Sequence, residues 1–363
     1  MSDAQPATGA WPRAVLHLDM DAFFVNVHLL EHPEDRGIPL AVGGRAEQRG
    51  VIASASYEAR RFGVRSAMPT SMALRLCPRL KIVGHARTSI RGCSRKVMGI
   101  LAEYGPLEKT SVDEAYLELS GRADPEALAA AIQARVKAES GLPCSVGLAA
   151  NKLVAKVASD HDKPEGCTVV RPGEEAAFLA PLPVRALHGI GPSTAAKLAE
   201  LGIKTCGQLA AAEPAGLRGR FGRYADELQQ RAQGVDARPV QPEHGPPKSI
   251  SEERTFERDR SDAAFLNGCL HEMAAGVAAE LRRRGLLAHT VKIKLRWADF
   301  TTFTRQKSLA AGTDEAELIG RLSVALLTEH WSASDNLPLR LLGVSASGLA
   351  PATARQPRLP YGP

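Results

Sequence analysis

AVLHLDMDAFFVNVHLL, residues 14–30, is the stretch whose reading decides the fold. Ala14–Asp19 is a short β-rich run, and from Phe23 to about Leu30 the spacing turns helical until Pro33 ends it. A strand therefore feeds a helix, and two acids, Asp19 and Asp21, stand where the strand runs out. Val15, Leu16 and Leu18 anchor the strand, so the carboxylates emerge at the sheet edge. Such a pair suits a metal or phosphate site, and equally a plain strand-end turn, where aspartate is common.

Working outward, PLAVGG from Pro39 and VIASAS from Val51 read as strands separated by the polar turn Arg45–Gly50. Two short helices follow, around Tyr57–Phe62 and Thr70–Leu76, and the insert as a whole reads as small and mostly helical. Beyond KIV at 81–83 come a helix near Thr88–Tyr104, strands EKTS and EAYLEL, a helix over Pro125–Lys137, the strand CSVGLAA, a helix from Asn151 to Ser159, and TVV. Strands and helices alternate in an α+β manner. Residues 181–240 lose the strand signal and become helical with glycine breaks. RPVQPEHGPPKS, residues 238–249, holds four prolines and reads as an extended tether. The last hundred or so residues repeat strand–helix–strand twice, which predicts an open sheet with helices on one face. The tail, APATARQPRLPYGP, has no core-forming period and is expected to order only on binding.

At 363 residues, with 44% hydrophobic and 24% charged, the chain has the composition of a multidomain globular protein and excludes collagen-like or long disordered classes. It lacks the ~20-residue apolar run of a membrane span and the start of a secretory signal, so a cytoplasmic location is expected. The six cysteines (77, 93, 144, 167, 206 and 269) form no C-x-x-C pair and read as reduced core thiols. The net charge of +6 is local: residues 281–307 hold eight basic residues against one acid, Asp299. A polyanion is the partner such clustering fits.

A second acidic pair, Asp113 and Glu114, lies in TSVDEAYLEL. Two hard divalent cations bridging a triphosphate want carboxylates from different strands plus a backbone carbonyl, and Met20 stands where it would supply the carbonyl. YEARRFGVRSAMP offers Tyr57 and Arg60 one helical turn apart, either for phosphates or as a solvated helix face. GIGPSTAAKLAELGI, with Gly189 and Gly191, has the form of a helix-hairpin-helix, suited either to holding a DNA phosphate on backbone N–H groups without reading bases or to plain helix–turn–helix packing. VKIKLRW places Lys292, Lys294 and Arg296 on one strand face opposite Val291, Ile293 and Leu295. That face suits nucleic-acid backbone, or simply solvent.

LHLDMDAFFVNV, VIASASYEARRFGVRSAMP, SVDEAYLEL, SVGLAANKLVAKVASDHDKPEG, the hairpin GIG and KSISEERTF, in this order, resemble the Y-family translesion DNA polymerases of the DinB type, over about residues 13–350. The resemblance implies an α+β right-hand polymerase with a ferredoxin-like palm (1–22 and 86–170), short helical fingers (23–85), a helix-hairpin-helix thumb (171–240), a linker (241–249), an α/β little finger (250–350) and a flexible tail (351–363). It implies two Mg2+ ions, with Mn2+ able to substitute, held by Asp19, Asp113, Glu114 and the Met20 carbonyl. Phe23, Tyr57, Arg60 and Lys163 would meet the incoming dNTP, and Phe24 would exclude a 2′-hydroxyl. Asp21 would be structural. Small residues at Ala41, Ala53 and Ser54 would leave the nascent base pair loosely enclosed, with low fidelity and tolerance of damaged templates. Primer-template DNA is the implied partner of a monomer.

The chain departs from the family pattern at His28, often Glu, at Ile90, often aromatic, and at Ser56 and Glu165, often Asn. QPRLP, with Gln356 and Leu359, is similar to peptides that grip the sliding clamp, although Pro360 stands where a bulky hydrophobe is usual. Two other readings stay open. A haloacid-dehalogenase-like phosphatase shares the apolar strand ending in D-x-D, and a non-catalytic DNA-binding adaptor shares the basic strand.

Overall fold

Alternation along β1 (Val15–Met20) sets the first layer in the computed structural model, which describes residues 11–243, 245–332 and 337–352. All six residues are buried, because Leu16, Leu18 and Met20 face one packed layer while Val15, His17 and Asp19 face another. The chain turns through Asp21 and Ala22, whose φ of 41° is left-handed, into α1 (Phe23–Glu31). Then follow β2 (Leu40–Gly43), β3 (Ile52–Ala55), α2 (Tyr57–Arg61), α3 (Thr70–Leu76) and β4 (Lys81–Val83).

These three strands form a sheet in the order β3-β2-β4, with β2 parallel to β4. Helices still make up more of the insert than this small sheet does, as expected. PLAVGG and VIASAS form β2 and β3 as read, and β2, paired on both sides, is buried throughout.

Next come α4 (Arg87–Ala102), β5 (Leu107–Lys109), β6 (Glu114–Glu118), α5 (Pro125–Ser140), β7 (Cys144–Ala149), α6 (Lys152–His161) and β8 (Cys167–Val169). With β1 they build a five-stranded sheet, β5-β6-β1-β7-β8, in which β1 is antiparallel to both neighbours. The helices α4 and α5 cover one face through Val97, Leu101, Ile132 and Val136. Helix α6 lies on the other with Val154, Val157 and Ala158. Its approach is so close that a Cβ on Gly147 of β7 would stand 2.2 Å from the Ala155 carbonyl oxygen, which only glycine avoids.

The helices α7 (Glu175–Leu179), α8 (Pro192–Glu200), α9 (Cys206–Ala210), α10 (Pro214–Phe221) and α11 (Tyr224–Ala232) continue the core begun by α6. The start of the proline-rich segment is not free. Lys152 Nζ approaches the Pro239 carbonyl at 3.4 Å, and the Gln241 N–H donates to Glu108 at 2.8 Å. Four cysteines are buried as expected, but Cys93 is only partly buried and Cys167 is exposed, because β8 is an edge strand.

By internal contacts the described residues form two units. The second takes in Gly44–Val51, Met68–Arg75 and the chain from Gly245 onward, and the first takes in the rest. In the second unit, β9 (Ser249–Arg260), α12 (Ala263–Arg283), β10 (Leu286–Trp297), β11 (Thr302–Thr313), α13 (Ala316–Ser332) and β12 (Leu339–Pro351) form an antiparallel sheet, β11-β10-β12-β9. Both helices pack on one face around Leu270, Met273, Val277, Ile293 and Val344.

Candidate active site

The β1–β6 register places Asp19 directly opposite Glu114. Like charges facing each other across strands repel, so the pairing needs a cation. Lys156, from α6, supplies it: Nζ lies 2.8 Å from Asp19 Oδ2 and 2.8 Å from Glu114 Oε1. Lys163 reaches the same Asp19 oxygen at 2.7 Å, and both ammoniums also touch Asp160, at 3.2 and 2.8 Å. Burial alone raises the Asp19 pKa, but the hydrogen bond with Glu114 and the two ammoniums outweigh it and hold this carboxyl well below its ordinary range. Glu114 is pushed up to about 7 by burial and by its hydrogen bond with Asp19, against the pull of Lys156.

Asp113 and Glu114 escape the opposite-face rule for neighbours on a strand because Asp113 precedes β6 and lies in a turn. Ser111 makes that turn: its hydroxyl accepts from the N–H groups of Asp113 and Glu114 and donates to the Asp113 carboxylate. Asp113 lines a cleft of about 160 Å³ with Asp19, Met20, Phe23, Phe24, Ala53, Ser54, Tyr57, Arg60, Ser66 and Lys163. Glu114 faces the adjoining recess with Lys156 and Tyr116.

Helix α2 presents the cleft's far wall. Ser56 caps it by accepting from the Ala59 N–H, and the Arg60 guanidinium stacks 4.6 Å above the Tyr57 ring while donating to the Ala55 carbonyl. Phe24 sits at the floor with its ring edge-on to His85 at 5.9 Å. Ala53 and Ser54 line the cleft as expected. Ala41 is not among its lining residues, since it is fully buried in β2 opposite Ala55.

Asp21 is 1% exposed and is a hub rather than part of the cleft wall. It accepts from Ser145 Oγ at 2.9 and 3.0 Å, from the Glu165 N–H at 2.8 Å and from Tyr57 Oη at 3.3 Å. It thereby ties the Lys163 loop and the Tyr57 helix to the end of β1. Glu165 holds a φ of 58°, a conformation that asparagine tolerates better.

Sequence reasoning missed Lys156 and Asp160. The signal was present: a lysine inside the apolar run LVAKVAS is seldom buried without a carboxylate partner. It also missed the turn-forming Ser111.

The donor set suits a hard cation, with carboxylates from two strands and a backbone carbonyl, and two ammoniums contact its members Asp19 and Glu114. Among the described residues no three metal-ligating side chains converge, and Ser111 holds the Asp113 carboxylate. The remaining sites lie apart. Gly189, with φ of 93°, and Gly191, the residue before α8, form the hairpin turn. Lys292, Lys294 and Arg296 share the half-buried face of β10, where Lys294 pairs with Glu253 at 2.8 Å and Arg296 donates to Thr302. Gln356 and Leu359 fall outside the described residues. Among the described residues no helix is long and apolar enough to cross a membrane.

Comparison with known proteins agrees along the chain. Residues 18–160 match the model of the impB/mucB/samB family, 247–359 that of the family's C-terminal domain, and 172–203 the HHH motif of the IMS family. A protein of Halorhodospira halophila (strain DSM 244 / SL1) named DNA polymerase IV is 43% identical over 349 residues, covering 95% of this chain and 97% of its own. Another of that name, from Methanoculleus marisnigri (strain ATCC 35101 / DSM 1498 / JR1), is 42% identical over 95% of this chain and 96% of its own. Among solved structures, a Y-family DNA polymerase chimera of Dbh and Dpo4 is similar with a TM-score of 0.83 at 26% identity, covering 92% of this chain and 98% of its own. DinB from Sulfolobus solfataricus is similar at 0.61 and 25%, with the same coverage.

Proposed function

The chain belongs to the impB/mucB/samB family of Y-family DNA polymerases, and on that premise we propose how its residues perform primer extension past damaged template bases. It is a DNA-directed DNA polymerase of the translesion type with a right-hand fold, a metal-dependent nucleotidyltransferase that binds primer-template DNA and nucleotides. Neither the phosphatase nor the adaptor reading finds support.

The observation that carries the residue assignment is the charge arrangement of one cleft. Asp19, Met20 and Asp113 line it together with Tyr57 and Arg60 of α2 and with Lys163, whose ammonium lies 2.7 Å from Asp19. In our reading Arg60, Tyr57 and Lys163 hold the triphosphate, and Phe23 and Phe24 support the sugar, where Phe24 meets any 2′-hydroxyl. Asp19, Asp113, Glu114 and the Met20 carbonyl would hold two Mg2+ ions, for which Mn2+ would substitute. When bound, the metals lower the pKa of the primer 3′-hydroxyl and stabilise charge as the α-phosphate is attacked. Lys156 and Lys163 retain Asp160 as counter-ion when they yield Asp19. Gly189, Gly191 and the basic face of β10 hold duplex backbone.

We assign residues 1–22 and 86–170 to the palm, 23–85 to the fingers, 171–240 to the thumb and 250–350 to the little finger. The protein works in the cytoplasm as a monomer, with Gln356 and Leu359 as the clamp-binding pair. Single-nucleotide incorporation on normal and damaged templates tests the assignment. Asp113→Ala and Glu114→Ala should each abolish Mg2+-dependent extension while primer-template affinity stays nearly intact, and substantial turnover in both variants would defeat it.

A further inference from the structure

Helix α4 carries Arg87, Arg91 and Arg95 at four-residue steps, which puts all three on one face over a span of about 12 Å. All are exposed, and among the described residues none makes an ion pair or a side-chain hydrogen bond. The arrangement opposes local helix stability. Like charges at i,i+4 repel, the first turn holds no acid, and Arg87 places a cation at the positive end of the helix dipole. Together with Thr88, Ser94 and Val112 the arginines line an open groove of about 530 Å³.

Two contacts fix where this groove lies. Val112, 41% exposed, is the residue before Asp113. At the head of the helix His85, two residues before Arg87, stands edge-on to Phe24. The groove therefore begins beside the acids and beside the residue that faces the incoming sugar.

We propose that this arginine face grips the phosphodiester backbone of the primer strand, immediately upstream of its 3′ end. The proposal rests on the polymerase reading above, since the strand whose 3′-hydroxyl must reach Asp19, Asp113 and Glu114 is the primer, and its phosphates trail away from that point. A 12 Å row spans three to four nucleotides at about 3.4 Å of axial rise each. Three guanidiniums offer bidentate phosphate contacts, and the Thr88 and Ser94 hydroxyls add donors. Backbone contacts of this kind position the strand and carry no base preference.

The test is equilibrium binding of fluorescent primer-template by the full-length protein without nucleotide, as a function of salt. Arg87→Ala/Arg91→Ala/Arg95→Ala should weaken binding at least tenfold near 0.1 M salt and make the log–log slope shallower by ~2 to 3, about 0.9 per lost phosphate contact. Neutral methylphosphonate linkages at the last three primer positions should weaken the wild-type protein and leave the variant almost unchanged. Unchanged affinity and slope overturn the proposal. So does a variant made insensitive by neutral linkages in the template strand rather than the primer. Should the triple variant fail to fold, Arg91→Gln alone, checked by circular dichroism, must still flatten the slope by ~0.9. A parallel extension assay keeps the two readings apart: failure of the wild-type protein to extend the primer defeats the polymerase reading, whatever the binding data give.

Discussion

His28 shows what a single residue conceals in sequence and declares in structure. It departs from the family's usual glutamate, yet its Nε2 lies 2.8 Å from Asp35, a buried acid that Lys81 also contacts at 2.6 Å. The hydrogen bond with His28, then that with Lys81, holds the Asp35 pKa below its ordinary value. A carboxyl depressed in the folded state contributes stability that is present above its unfolded pKa of about 3.9 and is lost as pH falls through the folded value. Asp35→Asn should therefore lower the melting temperature at pH 7, and the gap to wild type should close below about pH 4. A gap independent of pH would show that shape rather than charge matters there. Phe24 was marked by the family resemblance alone, and it lines the cleft. Phe24→Ala should raise ribonucleotide incorporation relative to deoxyribonucleotide, read as a ratio of kcat/KM values, because the ring that would clash with a 2′-hydroxyl is gone. The acids Asp19, Asp113 and Glu114 stood out in the sequence as two acidic pairs, each open to a plain structural reading, and the resemblance gave them a common role. Lys156 shows itself only as a lysine in an apolar run, because its partners Asp19 and Glu114 lie 137 and 42 residues away along the chain and leave no local spacing to read.

At the scale of elements, β1, α1, β6, β7 and α6 were visible because each has one clean period and a defined end: Pro33 after α1, and Asn151, whose side chain accepts from the Val154 N–H, before α6. The three-residue strands β4, β5 and β8 were marked only as KIV, EKTS and TVV, too short to carry a period, and their exact bounds are set by pairing. Contacts between elements were hidden for the same reason. Lys152 Nζ lies 2.7 and 2.6 Å from the Glu108 oxygens, with both side chains about a tenth exposed and the Tyr116 ring 4.8 Å away. Since Glu108 also accepts from the Gln241 N–H, this buried pair pins the start of the proline-rich segment to β5 and α6. Lys152→Met would leave a carboxylate buried without its counter-ion, at a cost of about 3–5 kcal/mol. The variant should melt earlier and be cleaved faster between residues 238 and 249 under limited proteolysis. Lys152→Met with Glu108→Leu should recover most of the melting temperature, because the uncompensated charge is removed, but not the protection of the segment. Restored protection in the double variant would mean that something other than Glu108 holds Gln241.

At the scale of the molecule, the chain's segments do not map one to one onto its compact units. Gly44–Val51 and Met68–Arg75 group with residues from Gly245 onward, where Arg49 donates to Asp259 at 2.6 Å, and no linear reading assigns a turn to a sheet two hundred residues away. Charge was more legible than contact. The net charge of +6 is small, and its concentration in residues 281–307 already pointed to the face of β10 that the structure leaves half-exposed. The structure adds that the three cations are not equivalent. Lys294 is paired with Glu253 and Arg296 is engaged by Thr302, whereas no ion pair holds Lys292 among the described residues. A cation already neutralised by a carboxylate releases fewer counterions when it meets a phosphate. Replacing Lys292, Lys294 and Arg296 by alanine should weaken primer-template binding for any sequence and flatten its salt dependence by ~2, short of the ~2.7 that three free contacts would give. Glu253→Gln should do the opposite, steepening the slope by up to ~0.9, because it frees Lys294 for the backbone. Both effects are read from affinity titrations at several salt concentrations, with a second unrelated duplex sequence as control. An unchanged slope in the triple variant would mean that the face is merely solvated, and a slope change confined to one duplex sequence would mean that it reads bases rather than phosphates.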